Sequence, residues 1–195
     1  MCIMNSKALI PVLTLTAMVA APIAMAADTT GWLGAGLSKT LGSAEADDKV
    51  ALTSRYWLTE QTGVQGSLCY RSDEADGGYE AATYELALKG VFAPIVRENG
   101  KFLLSLEARY AHVDVEYDSK YGKQDRSSDG WFVYPAIGVE FMLSGLPELG
   151  LNVEVGYRHA HHDHNVDYGN GSLSYGDSDT ESQGVIGSVG TIYYF

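Results

Sequence analysis

Four of the five histidines of this chain fall within six residues, and they form its densest group of potential metal ligands. On an extended strand, His159 and His161 share one face, while His162 and His164 share the other. Same-face imidazole pairs can bind Zn²⁺ or Cu²⁺, but one strand supplies few well-placed ligands. A polar strand end that happens to be rich in histidine explains the same residues. We predict no cofactor and keep metal binding as the alternative interpretation of this cluster.

Two other groups of reactive side chains lack the spacing that their chemistry needs. The triple Asp177-x-Asp179-x-Glu181 has no glycine and ligand pattern of a calcium loop, so solvated loop charge explains it better. Serine, histidine and aspartate do not occur in any recognisable local order of a hydrolase. We therefore expect no catalytic residues and no enzyme activity.

The N-terminus and the composition point to an exported protein. Lys7 precedes an apolar run from Ala8 to Ala21, and Ala24-Met25-Ala26 has the small residues of a cleavage site. We predict a signal peptide over residues 1–26 and one mature domain over 27–195. No later apolar run is long enough for a spanning helix, Cys69 is the only mature cysteine, and the net charge of −12 argues against nucleic acid as a partner.

The mature chain has eight stretches with the two-residue alternation of β-strands. In the fifth, Phe102, Leu104 and Leu106 share one face, while Glu107 and Arg109 share the other. Pro135 interrupts the sixth stretch and predicts a bulge there. The expected strands are Gly31–Leu41, Val50–Leu58, Val64–Arg71, Glu80–Phe92, Phe102–Tyr117, Trp131–Leu143, Leu151–His162 and Gln183–Phe195.

Short and long connections alternate between these stretches. Thr59–Gly63, Ala93–Gly100 and Ser144–Gly150 look like compact turns, whereas Asp118–Gly130 and Asp163–Glu181 look like long polar loops. This arrangement is typical of an outer-membrane barrel, in which the longer loops lie outside the cell. Three tyrosines of the long loops are candidate anchors for a surface ligand: Tyr121, Tyr168 and Tyr175.

Charge and aromatic placement decide which face points outward. Nine charged residues of mixed sign share the polar face and predict an ionic network inside the barrel: Arg55, Arg71, Glu85, Lys89, Glu107, Arg109, Glu140, Glu154 and Arg158. Aromatic residues on the apolar face fall into two groups, one near each strand end, as in membrane-interface belts. We predict an all-β fold, an eight-stranded antiparallel transmembrane barrel, rather than a soluble barrel with its faces exchanged.

The signal peptide, the eight strands and the terminal Tyr193-x-Phe195 resemble the small eight-stranded outer-membrane β-barrel proteins of Gram-negative bacteria, the OmpA/OmpX-like and opacity-type group. The resemblance implies residence in the outer membrane and contact with its lipid and lipopolysaccharide. It also implies that Tyr193 and Phe195 form the signal that the barrel-assembly machinery recognises. Members of the group act as adhesins, immune-evasion factors, envelope-stabilising proteins or lipid-modifying enzymes.

Fold alone does not choose among these functions. We expect a non-enzymatic barrel whose surface loops serve envelope integrity, adhesion or binding of an extracellular ligand. The alternatives are a narrow pore for small solutes and, less favoured, a lipid-modifying enzyme. An eight-stranded barrel has room for little more than its own side chains, which disfavours a wide channel.

Overall fold

The computed structural model describes residues 29–41, 50–75, 79–119, 122–143, 145–168 and 178–195, which form one closed barrel of eight antiparallel strands. The predicted signal peptide lies outside the described residues. No helix of the described part is long and apolar enough to cross a membrane. The strands are β1 (Leu33–Leu41), β2 (Val50–Trp57), β3 (Thr62–Ala75), β4 (Tyr79–Arg97), β5 (Gly100–Ser119), β6 (Gly122–Leu143), β7 (Leu146–Tyr168) and β8 (Ser178–Tyr194).

Pairing of the first strand with the last closes the sheet. Gly36 on β1 is the register partner of Ile192 on β8, and the Phe195 N–H donates to the Leu33 carbonyl at 2.9 Å. We call the end that holds Leu33 and Phe195 the lower end, and the opposite end the upper end. Residues 58–61 and 98–99 make short turns at the lower end, where compact turns are predicted. The expected turns Ala93–Gly100 and Ser144–Gly150 are mostly strand, because β4 continues to Arg97 and β7 begins at Leu146. Closure pairs every strand on both sides in the lower part of the barrel, whereas residues 69–75 of β3 and 178–186 of β8 extend beyond the pairing that β2 and β1 provide.

The strands extend well beyond the sequence expectation at the upper end. Most of Asp118–Gly130, predicted as a loop, is strand, because β5 continues to Ser119 and β6 starts at Gly122. The expected loop Asp163–Glu181 likewise belongs to β7 up to Tyr168 and to β8 from Ser178. These predictions were wrong because strand residues that are wet on both faces lose the apolar alternation that reveals a strand.

The two strand prolines have different consequences for the ladder. Pro135 produces no bulge: it pairs with Leu106 on β5, and the β7 pairing lapses after Val133 and resumes at Ala136 in the same register. A missing N–H therefore removes ladder bonds without inserting a residue. Pro94, expected in a turn, lies instead where the β4 register shifts, between Phe92 and Ile95.

The outer surface is apolar between two aromatic belts. In the upper belt, the rings of Tyr70 and Tyr84 are 4.9 Å apart between centroids, and those of Tyr110 and Trp131 are 5.2 Å apart. Tyr157 completes this belt, and most of the outward leucines and valines below it are exposed. The lower belt consists of Phe92, Phe102, Phe141, Tyr193 and Phe195. About ten tilted strand residues separate the belts, roughly the ~25 Å apolar band of a membrane barrel.

Candidate functional site

The barrel interior holds the main group of charged side chains. Arg55, Gln65, Lys89 and Glu107 are successive register partners on β2, β3, β4 and β5, so their side chains point to the same face. All four are buried. The inward polar face that alternation predicts is therefore a row of interlocking side chains across four strands.

Arg55 lies at the centre of this interior. Its Nε and Nη2 atoms donate to Gln65 Oε1 at 2.8 and 2.6 Å. On the other side, Nη1 donates to Glu140 Oε1 at 3.0 Å, and Nη2 lies 3.9 Å from Glu154 Oε1. The side chains of Arg55 and Glu140 are fully buried. One guanidinium thus connects β2 and β3 to β6 and β7 across the lumen.

Lys89 continues the connection toward β5. Its Nζ atom lies 3.1 Å from Glu154 Oε2 and 3.1 Å from Glu107 Oε2. Glu154 also accepts a hydrogen bond of 2.8 Å from the Ser105 hydroxyl. Glu107 Oε1 accepts from Arg109 Nη2 at 2.7 Å. Each buried carboxylate therefore has at least one cationic partner, which a low-dielectric interior requires.

Seven of the nine predicted network residues form this chain of contacts, which ends where Arg109 Nη1 meets Glu85 Oε2 at 3.3 Å. The other two lie toward the upper end. Arg71 pairs with Asp73 on its own strand, and Arg158 stands over the ring of Phe132 with its guanidinium carbon 5.7 Å from the centroid. Cys69 faces the lumen as expected and is a buried free thiol.

Sequence reasoning missed Lys101 as a buried interior cation. Its Nζ atom lies 3.5 Å from the centre of the Trp57 ring and donates to the Glu60 carbonyl at 3.0 Å and to the Thr29 hydroxyl. With it, the described interior below Arg71 and Arg158 holds four cations and four anions: Arg55, Lys89, Lys101 and Arg109 against Glu85, Glu107, Glu140 and Glu154. Equal numbers of opposite charges allow burial without a net interior charge.

An apolar floor closes the lower end of the lumen below these charges. Trp57, Leu103, Ile192 and Tyr194 are fully buried there and pack with Val91 and Ala93. The Trp57 indole N–H donates to the Tyr194 hydroxyl at 3.2 Å, and that hydroxyl donates to Glu140 Oε1 at 2.6 Å. The floor and the ionic chain are therefore one connected structure.

Glycines on β6, β7 and β8 leave space for long polar side chains of the neighbouring strands. A Cβ atom added at Gly150 would lie 2.7 Å from Glu140 Oε1, and one at Gly190 would lie 2.6 Å from Asn152 Oδ1. At Gly138 it would lie 2.5 Å from Glu154 Cγ. The glycines of β6, β7 and β8 are thus complementary in shape to the interior polar side chains.

The histidine cluster is divided between the two faces of β7. His159 and His161 are register partners of the outward Val133 and Trp131, whereas His162 opposes Gly130 and contacts the inward Phe132 ring. The side chain of His164 lies outside the described ones. Among the described residues, no three histidine, cysteine or acidic side chains are placed to hold a metal ion together.

The remaining predicted sites lie at the two ends of the barrel. Tyr121 and Tyr175 fall outside the described residues, and of Tyr168 only its place at the end of β7 is described. Tyr193 is paired with Leu149 and Ala35 in the lower part of the barrel, and Phe195 follows β8. The C-terminal end of the last strand is thereby fixed to both of its neighbours.

A second polar group lies on the outer wall above the upper belt. Asp129 Oδ1 accepts from His112 Nδ1 at 2.7 Å and also from the Tyr110 hydroxyl. This resembles the base and orienting carboxylate of a hydrolase, but His112 Nε2 faces Asp114 at 3.1 Å rather than a nucleophile. The described contacts therefore include no catalytic triad at this position.

The closed barrel of eight strands, its paired interior charges and its two aromatic belts together define a transmembrane barrel of the outer-membrane class. Residues 11–190 match the family model described as the outer membrane protein beta-barrel domain, and the chain belongs to that family. The family and the fold place the protein in the outer membrane of a Gram-negative bacterium. The lower end is then periplasmic and the upper end extracellular.

Comparison with curated protein sequences finds no match. Solved structures with similar folds include the N-terminal β-barrel domain of Pseudomonas aeruginosa OprF, at 11% identity and TM-score 0.49, covering 85% of this chain and 98% of that one. A major outer membrane protein from Thermus thermophilus is 12% identical with TM-score 0.50, covering 84% and 99%. Ail, the attachment invasion locus protein of Yersinia pestis, is 17% identical with TM-score 0.43, covering 88% and 100%.

Proposed function

We propose that this protein is a non-enzymatic membrane scaffold that displays tall hairpins outside the cell, for envelope integrity or for binding an extracellular ligand. The lengths of the strands support this function. β5, β6 and β7 have 20, 22 and 23 residues, whereas about 9–11 residues cross a membrane. About half of each strand therefore stands above the upper belt.

The occluded interior is the observation that favours display over transport. A solute entering from outside meets the chain from Arg109 to Glu140 and, below it, the floor of Trp57 and Tyr194. Passage through the described barrel requires rearrangement of both layers. The functional surface is then the outside of the barrel.

Shortened hairpins test the proposal. Ala111 on β5 pairs with Gly130 on β6, so an Asn-Gly turn can replace residues 112–129 without changing the register. Ala160 and Ser182 allow the same replacement between β7 and β8. A matched control shortens the β3–β4 hairpin at Arg71 and Thr83.

Bacteria carrying each variant are compared for adherence to matrix-coated surfaces and for sensitivity to detergent. We expect the combined β5–β6 and β7–β8 truncation to impair adherence or envelope resistance, and the control to retain both. If the truncated barrel folds and both phenotypes equal those of the wild type, the display function is refuted.

The narrow pore is the second candidate, since charged groups line the interior. Single-channel recording in planar bilayers separates the two. We expect wild type to be silent, and Arg158→Ala as well, because Arg158 lies beside Phe132 above the continuous ionic chain. Steady conductance of the wild type would make the lumen the functional site.

The proposed partners are membrane lipid and lipopolysaccharide on the outer wall and the barrel-assembly machinery at the C-terminus. The proposed contact with the assembly machinery is supported by Tyr193 and Phe195, since they lie at the end of the strand that closes the barrel against β1. Phe195→Ala is expected to slow machinery-dependent insertion in cells while leaving refolding into detergent unchanged. If the wild type and Phe195→Ala insert in cells with equal yields, Phe195 is not part of a signal for the assembly machinery.

A further inference from the structure

His112 lies on the outer wall, two residues above Tyr110 of the upper belt, and therefore outside the membrane-spanning part of β5. Asp129 on β6 is its direct register partner, and Tyr84 on β4 is its partner on the other side. Asp114 follows two residues later on the same face. Histidine thus stands between two carboxylates at the base of the β5–β6 hairpin.

Both ring nitrogens of His112 face carboxylate oxygens. Nδ1 lies 2.7 Å from Asp129 Oδ1 and Nε2 lies 3.1 Å from Asp114 Oδ1. A neutral imidazole has one N–H, and an ionised carboxylate only accepts hydrogen bonds. Two such contacts are satisfied together only when both nitrogens carry a proton. The geometry therefore selects the imidazolium form.

We propose that His112 is a proton-binding site that clasps β5 to β6 on the extracellular wall and releases Asp114 when it loses its proton. This inference rests on the outer-membrane placement, not on the function of the hairpins. Loss of the proton removes one positive charge from a wall that already presents Asp114 and Asp129. It also leaves a single N–H for two acceptors.

The neighbouring strands add further groups that interact with this site. Tyr110 on β5 donates its hydroxyl to Asp129, and Tyr84 faces His112 from β4. On β7, Asp163 is the register partner of Asp129, and its carboxylate lies 3.2 Å from His161 Nε2. Like charges directly opposite each other are unfavourable, so a cation beside Asp129 lowers the cost of this arrangement.

The acid–base equilibria agree with the geometry. The hydrogen bond to Asp129 raises the pKa of His112 by more than burial lowers it, and the charge of Asp114 raises it further, so the pKa lies above its ordinary value. Hydrogen bonds from Tyr110 and then His112 lower the pKa of Asp129. Because the pKa of His112 is higher in the folded state than in the unfolded state, protonated His112 stabilises the fold. This stabilisation is fully present at pH values below the unfolded-state pKa of about 6.5 and is lost as the pH rises through the folded-state pKa.

The test is a nuclear magnetic resonance titration of the full barrel refolded in detergent micelles, with the His112 ring signals assigned by their loss in His112→Gln. We expect a titration midpoint above 6.5 and, below that midpoint, nitrogen shifts of a doubly protonated ring. Asp114→Asn and Asp129→Asn should each lower the midpoint, since an amide removes one negative charge. Asp73→Asn on β3 is the control and should leave it unchanged.

Three results would overturn the proposal. One is a neutral, single-tautomer ring at pH 6, and another is a midpoint at or below the ordinary histidine value of about 6.5. The third is a midpoint that neither Asp114→Asn nor Asp129→Asn moves. His112→Gln and the aspartate variants change side chains outside the packed interior, so each variant is expected to fold. Heat-modifiable gel mobility checks that each barrel is folded. None of these readouts depends on adherence or conductance.

Discussion

Replacing Arg55 by methionine is the sharpest perturbation of the interior. The side chain is fully buried, and its guanidinium supplies donors to Gln65 and Glu140 and charge to Glu154. Methionine fills a similar volume but donates nothing. Glu140 Oε1 would keep only the Tyr194 hydroxyl, which donates at 2.6 Å. The variant thus leaves a buried carboxylate without its cation.

The expected cost follows from that single uncompensated charge. Removing one partner of a buried ion pair costs about 3–5 kcal/mol, so the folding equilibrium constant should fall by roughly two to nearly four orders of magnitude. Replacing both partners with apolar residues removes the unpaired charge as well as the pair. The double variant Arg55→Met/Glu140→Met should therefore recover most of the loss, since such replacements are often neutral or stabilising.

Urea unfolding of the barrel in lipid vesicles, followed by tryptophan fluorescence, measures the four free energies of this cycle. Arg97→Met, at the exposed lower end of β4, is the matched control and should change stability by no more than about 0.5 kcal/mol. A double variant whose loss equals the sum of the two single losses would refute the reasoning. Additive losses would mean that Arg55 and Glu140 have no coupling free energy in the folded barrel.

Two further pairs of substitutions test the packing inside and outside the barrel. Gly150→Ala should destabilise the barrel by about 1–3 kcal/mol because its methyl group meets Glu140 Oε1, whereas Gly90→Ala, with no atom within 4 Å of the added carbon, should be tolerated; urea midpoints compare them. Tyr70→Ala and Tyr84→Ala should show a coupling of about 0.5–1.5 kcal/mol in a double-mutant cycle, since their rings pack against each other across β3 and β4. Additive losses would contradict that contact.

The sequence predicts the membrane-embedded half of the barrel well, because lipid and lumen impose opposite demands on alternate residues. Eight strands, two aromatic belts and the inward placement of residues such as Glu107 and Glu154 all follow from that period. This alternation of apolar and polar residues is lost above the membrane-spanning part. Both faces of the strands contact water above the upper belt, so the sequence alone does not show that His112 and Asp129 are paired.

The periplasmic floor was missed for a different reason. Alternation places Trp57 on the inward face with Arg55, but sequence alone does not show that it meets Tyr194 across the lumen and closes the lower end. Lys101 precedes Phe102, so its inward direction follows from alternation once β5 is extended to Gly100. The extension of the strand was the missing information, not the chemistry of the residue.

The shape of the interior argues that occlusion is a property of the whole barrel rather than of one gate. Long charged residues project from β2, β4 and β5, and Gly138 and Gly150 on β6 and β7 provide the space where Glu154 and Glu140 meet them. Opening a path requires several side chains to leave a closely packed, electrically balanced space together, and each separated charge would lack a partner. This concerted packing supports the proposed display of the β5–β8 hairpins over transport through the lumen.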